Sequence, residues 1–348
     1  MKTERNIRHY RHSVDSLRNV LVVCACLYAY GIPVPGEIGQ IFFGFAYPAL
    51  FMISGFLVLR DDKNRAGRIL RTVKRTAICF GILFIVCLLM NLLADASGTV
   101  HTLCTKQFWI DFLLLNLWNL PIGSLIWYAQ SLLYAYLILF VLEKANLLRF
   151  DWLLMILLFA VTVLTGKLAG VTGFRFLGHE YLPGCFLTRA LPYALAGCLI
   201  HRKLAQLRKI KLPALGFIAT IGIVLTVAED LILQKFGLRV YYGHYIGMAI
   251  TAAAICIPIF LSRKREQKPV SELFPEAYIS RFFYYAAIPV TAILMQIINN
   301  ASGSKLNFYY GWRGIIIAAV SYAAAMLCLL IVREFPQIRH FFRKRRHH

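Results

Sequence analysis

Acidic residues are scarce in this chain: 16 Asp and Glu stand against 38 Lys and Arg in 348 residues, and charged residues are only 16% of the total. A soluble domain carries about a quarter of its residues as charges, so a water-soluble globule of this length is excluded. Histidine is missing where chemistry inside an apolar run would need it. None lies between Asn19 and Ser54, and none between Arg281 and Arg339, which excludes an imidazole base in either stretch. The nine cysteines are an odd number, and seven of them (Cys24, Cys26, Cys79, Cys87, Cys198, Cys256, Cys328) fall inside apolar runs, where a free thiol behaves as a small hydrophobe. HTLC, His101 to Cys104, is too short a constellation for zinc, so no metal is expected. Only Cys104 and Cys185 approach one common face, and a disulfide between them stays open. Internal repeats, low-complexity tracts and any soluble block long enough to fold alone are absent. A cleavable leader is not expected either, because MKTERNIRHYRH is too polar and the first apolar run lacks a small-residue cleavage site.

Apolar residues take the place of all this. They make up 59% of the chain, mean hydropathy is +0.64, and the excess is gathered into blocks of about 20 residues, the length that crosses a bilayer as a helix. Lipid offers backbone groups no partners, so such blocks are helices unless a closed barrel forms, and short alternating barrel strands are not seen. The expectation is an all-α polytopic membrane protein. One membrane domain, 1–348, is expected to hold about ten transmembrane helices at 14–31, 37–59, 76–94, 122–142, 152–170, 184–201, 213–233, 241–262, 282–299 and 312–332.

The net charge of +22 would suggest nucleic acid in a soluble chain, but the cations alternate with the predicted topology. With the N-terminus inside, inner segments hold 29 Lys and Arg and outer loops hold 7, leaving Arg18 and Arg189 at span ends. Both termini are therefore expected in the cytoplasm, membrane lipids are the expected partner, and no nucleic acid is. The outer stretch 95–121 contains FWIDFLLLNLW, too short to span, which predicts a helix in the interface or a re-entrant element.

Several local patterns then fall in order. Arg18 heads the first span, and LFMISGFLVL places Ser54 and Gly55 in the second. RILR puts Arg68 and Arg71 three apart on one helical face before the third. IGSLIWYAQSLL sets Trp127 and Tyr128 at the start of the fourth, and TRALPYALAGCLI sets Arg189, Pro192 and Gly197 in the sixth. This order over ten spans resembles the integral membrane acyltransferase-3 family, across nearly the whole chain. The same module occurs, fused to a soluble racemase domain, in the membrane serine racemases linked to vancomycin resistance; no such domain is present in this sequence.

The resemblance implies transfer of an acyl group from cytoplasmic acyl-CoA to a hydroxyl of a glycan or lipid-linked glycan, in the cytoplasmic membrane of a bacterium, with no permanently bound cofactor. Paired guanidinium groups fork onto phosphate oxygens, so Arg68 and Arg71, with Arg18 at a similar depth, suit an anionic donor. As bare residues the three are equally ordinary inside-positive anchors. Arg189 lies toward the outer end of its span, beyond the reach of that rule, and is either a working cation or a snorkel to headgroups. Ser54 and Gly55 suit a close helix contact better than a nucleophile. Trp127 and Tyr128 are substrate-binding candidates by the resemblance and interfacial aromatics by composition.

One departure is plain. In that family the leading arginine is followed eleven positions later by a histidine taken as the general base, and the ninth span carries another in a Ser-x-x-x-Tyr-x-x-His pattern. Here those positions are Ala29 and Ala287. A base is worth about 10² to 10⁴ in rate, alanine supplies none, and the neighbouring phenols of Tyr28 and Tyr30 are seldom ionised near neutrality. Among His244, His179, Glu37 and Glu180, His244 in VYYGHYIGM is the replacement the sequence favours. Two readings stand: an O-acyltransferase with a substituted base, or a degenerate module that moves a small polar or lipid substrate or supports a partner enzyme.

Overall fold

A computed structural model describes residues 2–30, 42–59, 64–121, 126–166, 185–236, 245–261 and 307–334, together with Ala287, Val290 and Ile293. Among them every regular element is helical. Among the described residues four helices are long and apolar enough to cross a membrane: Arg65–Ala94, Ile126–Lys144, Leu147–Thr165 (which includes a one-turn 3-10 start) and Leu212–Lys235. Shorter apolar helices occupy Ala46–Val58, Ile246–Leu261 and Trp312–Cys328.

The chain divides into two units. The first holds Met1–Pro33 and Arg263–His348. In it α1 (Lys2–Tyr30) packs along α13 (Asn307–Glu334). Helix α1 begins well before the apolar run, because nothing in the polar N-terminal stretch breaks a helix. Its Asp15 is buried and pairs with Arg18 one turn on, at 3.6 Å.

The second unit, Val34–Ser262, is built around α2 (Ala46–Val58). Nearly all of α2 is buried, and it packs against α9 (Leu191–Arg202) and α12 (Ile246–Leu261). Helix α3 (Arg65–Ala94) packs on α6 (Ile126–Lys144), α7 (Asp151–Gly166) on α9, and, after the one-turn α10 (Leu204–Leu207), α11 (Leu212–Lys235) on α12. Helix starts are chemically marked. Asn64 accepts from the Gly67 N–H at 2.9 Å to cap α3, and α9 and α11 each open with a proline, where the missing donor costs nothing. The predicted sixth span is broken in two. A short α8 (Phe186–Arg189) ends at Ala190, and α9 restarts at Leu191 with Pro192 behind it.

The 95–121 stretch folds back on α3. Asp95 caps α4 (Ala96–Cys104) and Thr105 caps α5 (Lys106–Leu114). The Gly98 N–H and the Ser97 hydroxyl donate to the Asp95 carboxylate and hold its pKa below the usual range, so this cap is intact above about pH 4 and is lost as the pH falls through the lowered value. From there α5 turns back along α3. Phe112 lies 6.2 Å from Phe80 and 5.4 Å from Phe84, at the middle of a 30-residue helix rather than its end. Phe108, Trp118 and Leu120 complete this cluster. The segment therefore packs back along the middle of α3, and Asn116, in the left-handed conformation at φ 59°, makes its turn.

All nine cysteines are free. Cys104 is exposed and Cys185 is buried, so the disulfide left open by the sequence is not formed.

Candidate functional site

Within the second unit the predicted site residues collect at two ends. Arg65 and Glu143 both interact electrostatically with Arg202. The start of α3 therefore lies beside the end of α6, and the two helices run antiparallel. Arg68 and Arg71 belong to this first end and Trp127 to the other, about 24 Å away along α6 at 1.5 Å per residue.

At the first end Arg71 is exposed and its Nε donates only to its own helix, to the Gly67 carbonyl at 3.3 Å. Arg68 is half-buried on the same face. Arg18 is in the other unit, held by Asp15. The sequence reasoning passed over the group next to them. Asp151, fully buried at the head of α7, forms an ion pair with Arg202 at the end of α9. Burial first, and then the nearby Arg65 charge, lower the Arg202 pKa, with Glu143 opposing. The signal available was an isolated acid among inner-loop cations.

At the other end Arg189 closes α8 with its guanidinium 3.8 Å over the Trp127 ring. Tyr47 lies 4.9 Å from Trp127, Phe51 lies 4.7 Å from Tyr128, and Tyr47 and Tyr128 are 6.0 Å apart. The structure thus joins Arg189, Trp127 and Tyr128 and adds two rings from α2 that the sequence reading did not select. Their signal was the one-turn spacing of Tyr47 and Phe51 just ahead of Gly55. A cation over an indole face is worth up to about 2 kcal/mol when desolvated, and here it fixes the guanidinium between three helices. Trp127 is reached from the 95–121 segment too, since the Asn116 amide donates to its carbonyl at 3.1 Å.

His244, His179, Glu180 and Glu37 lie outside the described residues. What is described next to His244 is a carboxylate pair. Tyr245 donates to Asp230 at 2.6 Å, Gln234 donates to the other Asp230 oxygen at 2.8 Å, and Glu229 accepts the Ile246 N–H at 2.9 Å. Two successive acids of α11 thus clamp the start of α12, a role that composition could not show because both sit inside an apolar run. Ser54 donates to its own Leu50 carbonyl at 2.8 Å, consistent with a packing role.

A family model described as an acyltransferase domain matches residues 19–334 of the chain. The chain belongs to the acyltransferase-3 family. No curated protein and no solved structure is matched. The matched stretch takes in both units of this acyltransferase-3 protein, and it includes Arg68, Arg71, Trp127, Tyr128, Arg189 and His244 as well as Ala29 and Ala287; Arg18 stands one residue ahead of it. With its apolar helices the match makes this a membrane protein carrying an acyltransferase domain.

Proposed function

We propose that this acyltransferase-3 protein receives an acyl group from acyl-CoA at the Arg68 and Arg71 end and delivers it to a hydroxyl of a glycan or lipid-linked glycan at the Arg189 and Trp127 end. The observation that carries the reading is the pairing of these two ends in one unit. An exposed cationic mouth at the start of α3 suits a nucleotide donor, and a ring-held guanidinium suits an acceptor about a membrane's thickness away. By the resemblance Arg18, in the first unit, is a further cation for the donor, and His244 is the candidate base. The chain acts as one domain of ten spans in a bacterial cytoplasmic membrane, termini inside, on the strength of the 29 to 7 division of Lys and Arg. Labelling, from outside intact cells, of a cysteine introduced in 202–211 would refute that topology; protection supports it.

Removing one forked phosphate contact costs about 1.5 to 3 kcal/mol. The Arg68→Ala, Arg71→Ala double variant, in lipid nanodiscs, is accordingly expected to bind coenzyme A about ten- to a hundredfold more weakly than the parent. Unchanged binding would reduce the two arginines to topology anchors. Incubation with labelled acyl-CoA and membrane glycolipids then reads the transfer itself.

A second reading has its own observation. Ala29 and Ala287 stand on helical residues where the family places its imidazoles, and Ala287 is fully buried. On that reading the scaffold persists as a transporter, a flippase or a support for a partner enzyme, with acyl transfer by the histidine route absent.

A further inference from the structure

The turn that joins α6 to α7 has a charge arrangement that its composition hides. From Glu143 to Trp152 the sequence EKANLLRFDW carries two acids and two cations and is formally neutral. The structure separates the signs. Asp151 is fully buried in its ion pair with Arg202, and the Glu143 charge acts on Arg202 and Cys198, both on α9, so the two acids are turned toward the interior of the unit. Lys144 and Arg149 are exposed, and no carboxylate among the described residues pairs with either. The Arg149 guanidinium lies 4.7 Å over the ring of Phe150, itself exposed, and Asn146, left-handed at φ 55°, turns the chain between the two cations.

Apolar surface runs up to these cations from both helices. On α6, Leu137 and Val141 are exposed one turn apart and lead to Lys144. On α7, Leu153, Ile156, Leu157 and Leu164 form an exposed stripe at helical spacing, about 17 Å long at 1.5 Å per residue, and the exposed Trp152 stands between that stripe and Arg149. Both helices are long and apolar enough to cross a membrane, and one leaflet of hydrocarbon is about 15 Å deep. The stripe therefore has the length of a lipid chain, and the turn lies at the level of the headgroups, where Trp and long cationic side chains anchor. With the acids withdrawn, two cations at that level attract a net-negative headgroup and offer a neutral one no comparable gain.

We propose that the turn between α6 and α7 is a binding site for an anionic phospholipid, with Lys144 and Arg149 holding the headgroup phosphate, Trp152 at the glycerol level and a chain along the Leu153 to Leu164 stripe. The inference concerns neither donor nor acceptor, and it stands whether or not the protein transfers acyl groups. It gives the buried Asp151 and Arg202 pair a second consequence: by keeping an acid inside, the pair leaves the outward face of the turn cationic.

Trp152 serves as the reporter. The full chain is placed in phosphatidylcholine nanodiscs in which a rising fraction of the lipid is replaced by phosphatidylglycerol, or by phosphatidylcholine, brominated high in the chain. The Trp152 contribution to the fluorescence is taken by difference from a Trp152→Phe variant. Brominated phosphatidylglycerol is expected to reach half-quenching at about one fifth of the mole fraction that brominated phosphatidylcholine needs, or less. Lys144→Gln with Arg149→Gln is expected to abolish that preference, whereas Lys74→Gln with Arg75→Gln, the same loss of two exposed cations from α3, keeps it. Equal quenching by the two lipids in the parent would overturn the site without recourse to any variant. Loss of the preference in the α3 control would assign the attraction to the whole basic surface, and relief of quenching by added coenzyme A would assign the two cations to a soluble phosphate ligand; either result overturns the lipid site.

Discussion

Arg202→Met is expected to destabilise the protein by about 3 to 5 kcal/mol, as leaving a buried charge without its partner typically does. The Asp151 carboxylate is fully buried, whereas Arg202 is partly exposed. Removing the cation leaves that carboxylate in the interior without its counter-charge. The effect comes from the stranded anion more than from the lost attraction. Asp151→Leu with Arg202→Met is therefore expected to recover most of the loss, since replacing both partners of a buried pair by apolar groups is often neutral. Thermal unfolding in a fixed detergent reads all three proteins. A single variant within about 1 kcal/mol of the parent, the range of an exposed pair, would show that solvent reaches this site.

That node was hidden in the sequence for a definite reason. Asp151 sits at the boundary of a predicted loop and span, and composition assigns a boundary charge to solvent or headgroups. Burial against Arg202 depends on how α7 meets α9, which no local pattern encodes. The long helices were legible because uninterrupted apolar length decides them: α11 follows directly from its run, while α3 begins at Arg65, well ahead of the expected span at 76–94. Arg189 was legible as unusual, since it broke the inside-positive pattern. Its seat on Trp127, far earlier in the chain, was not, because the contact needs α8 to end at Ala190 and swing the guanidinium across α6. FWIDFLLLNLW was legible as too short to span. Its packing was decided by Phe108 and Phe112 joining Phe80 and Phe84, a pairing of aromatic faces that spacing alone does not rank.

Ala29 and Ala287 differ in their surroundings. Ala29 is exposed on α1, where a larger side chain meets little resistance. Ala287 is fully buried, so an imidazole there has to displace its neighbours.

The contact of α2 with α9 sets the second large effect. Gly55→Ala is expected to destabilise the second unit by about 2 to 3 kcal/mol, the upper part of the usual overpacking range, and Gly55→Leu by more. A methyl added at Gly55 would land on the Ala194 carbonyl, and one added at Gly197 would land on the Met52 carbonyl. Both obstacles are backbone oxygens in helices, so relief requires the helices to part. Small residues allow this closeness, on which helix association in lipid depends, and the Cys198 thiol reaches the Gly55 carbonyl at 3.5 Å across the same crossing. Gly81 and Gly216 supply the control, since a methyl at either meets nothing within 4 Å. Alanine at those positions is expected to be neutral or stabilising by about 0.5 to 1 kcal/mol, because it lowers the backbone entropy lost on forming a helix. Tyr47 and Phe51 ride on α2 two turns and one turn ahead of Gly55, so a parted crossing also shifts the rings around Trp127. Unfolding midpoints for Gly55→Ala no lower than those for Gly81→Ala would mean that α2 and α9 do not meet backbone to backbone.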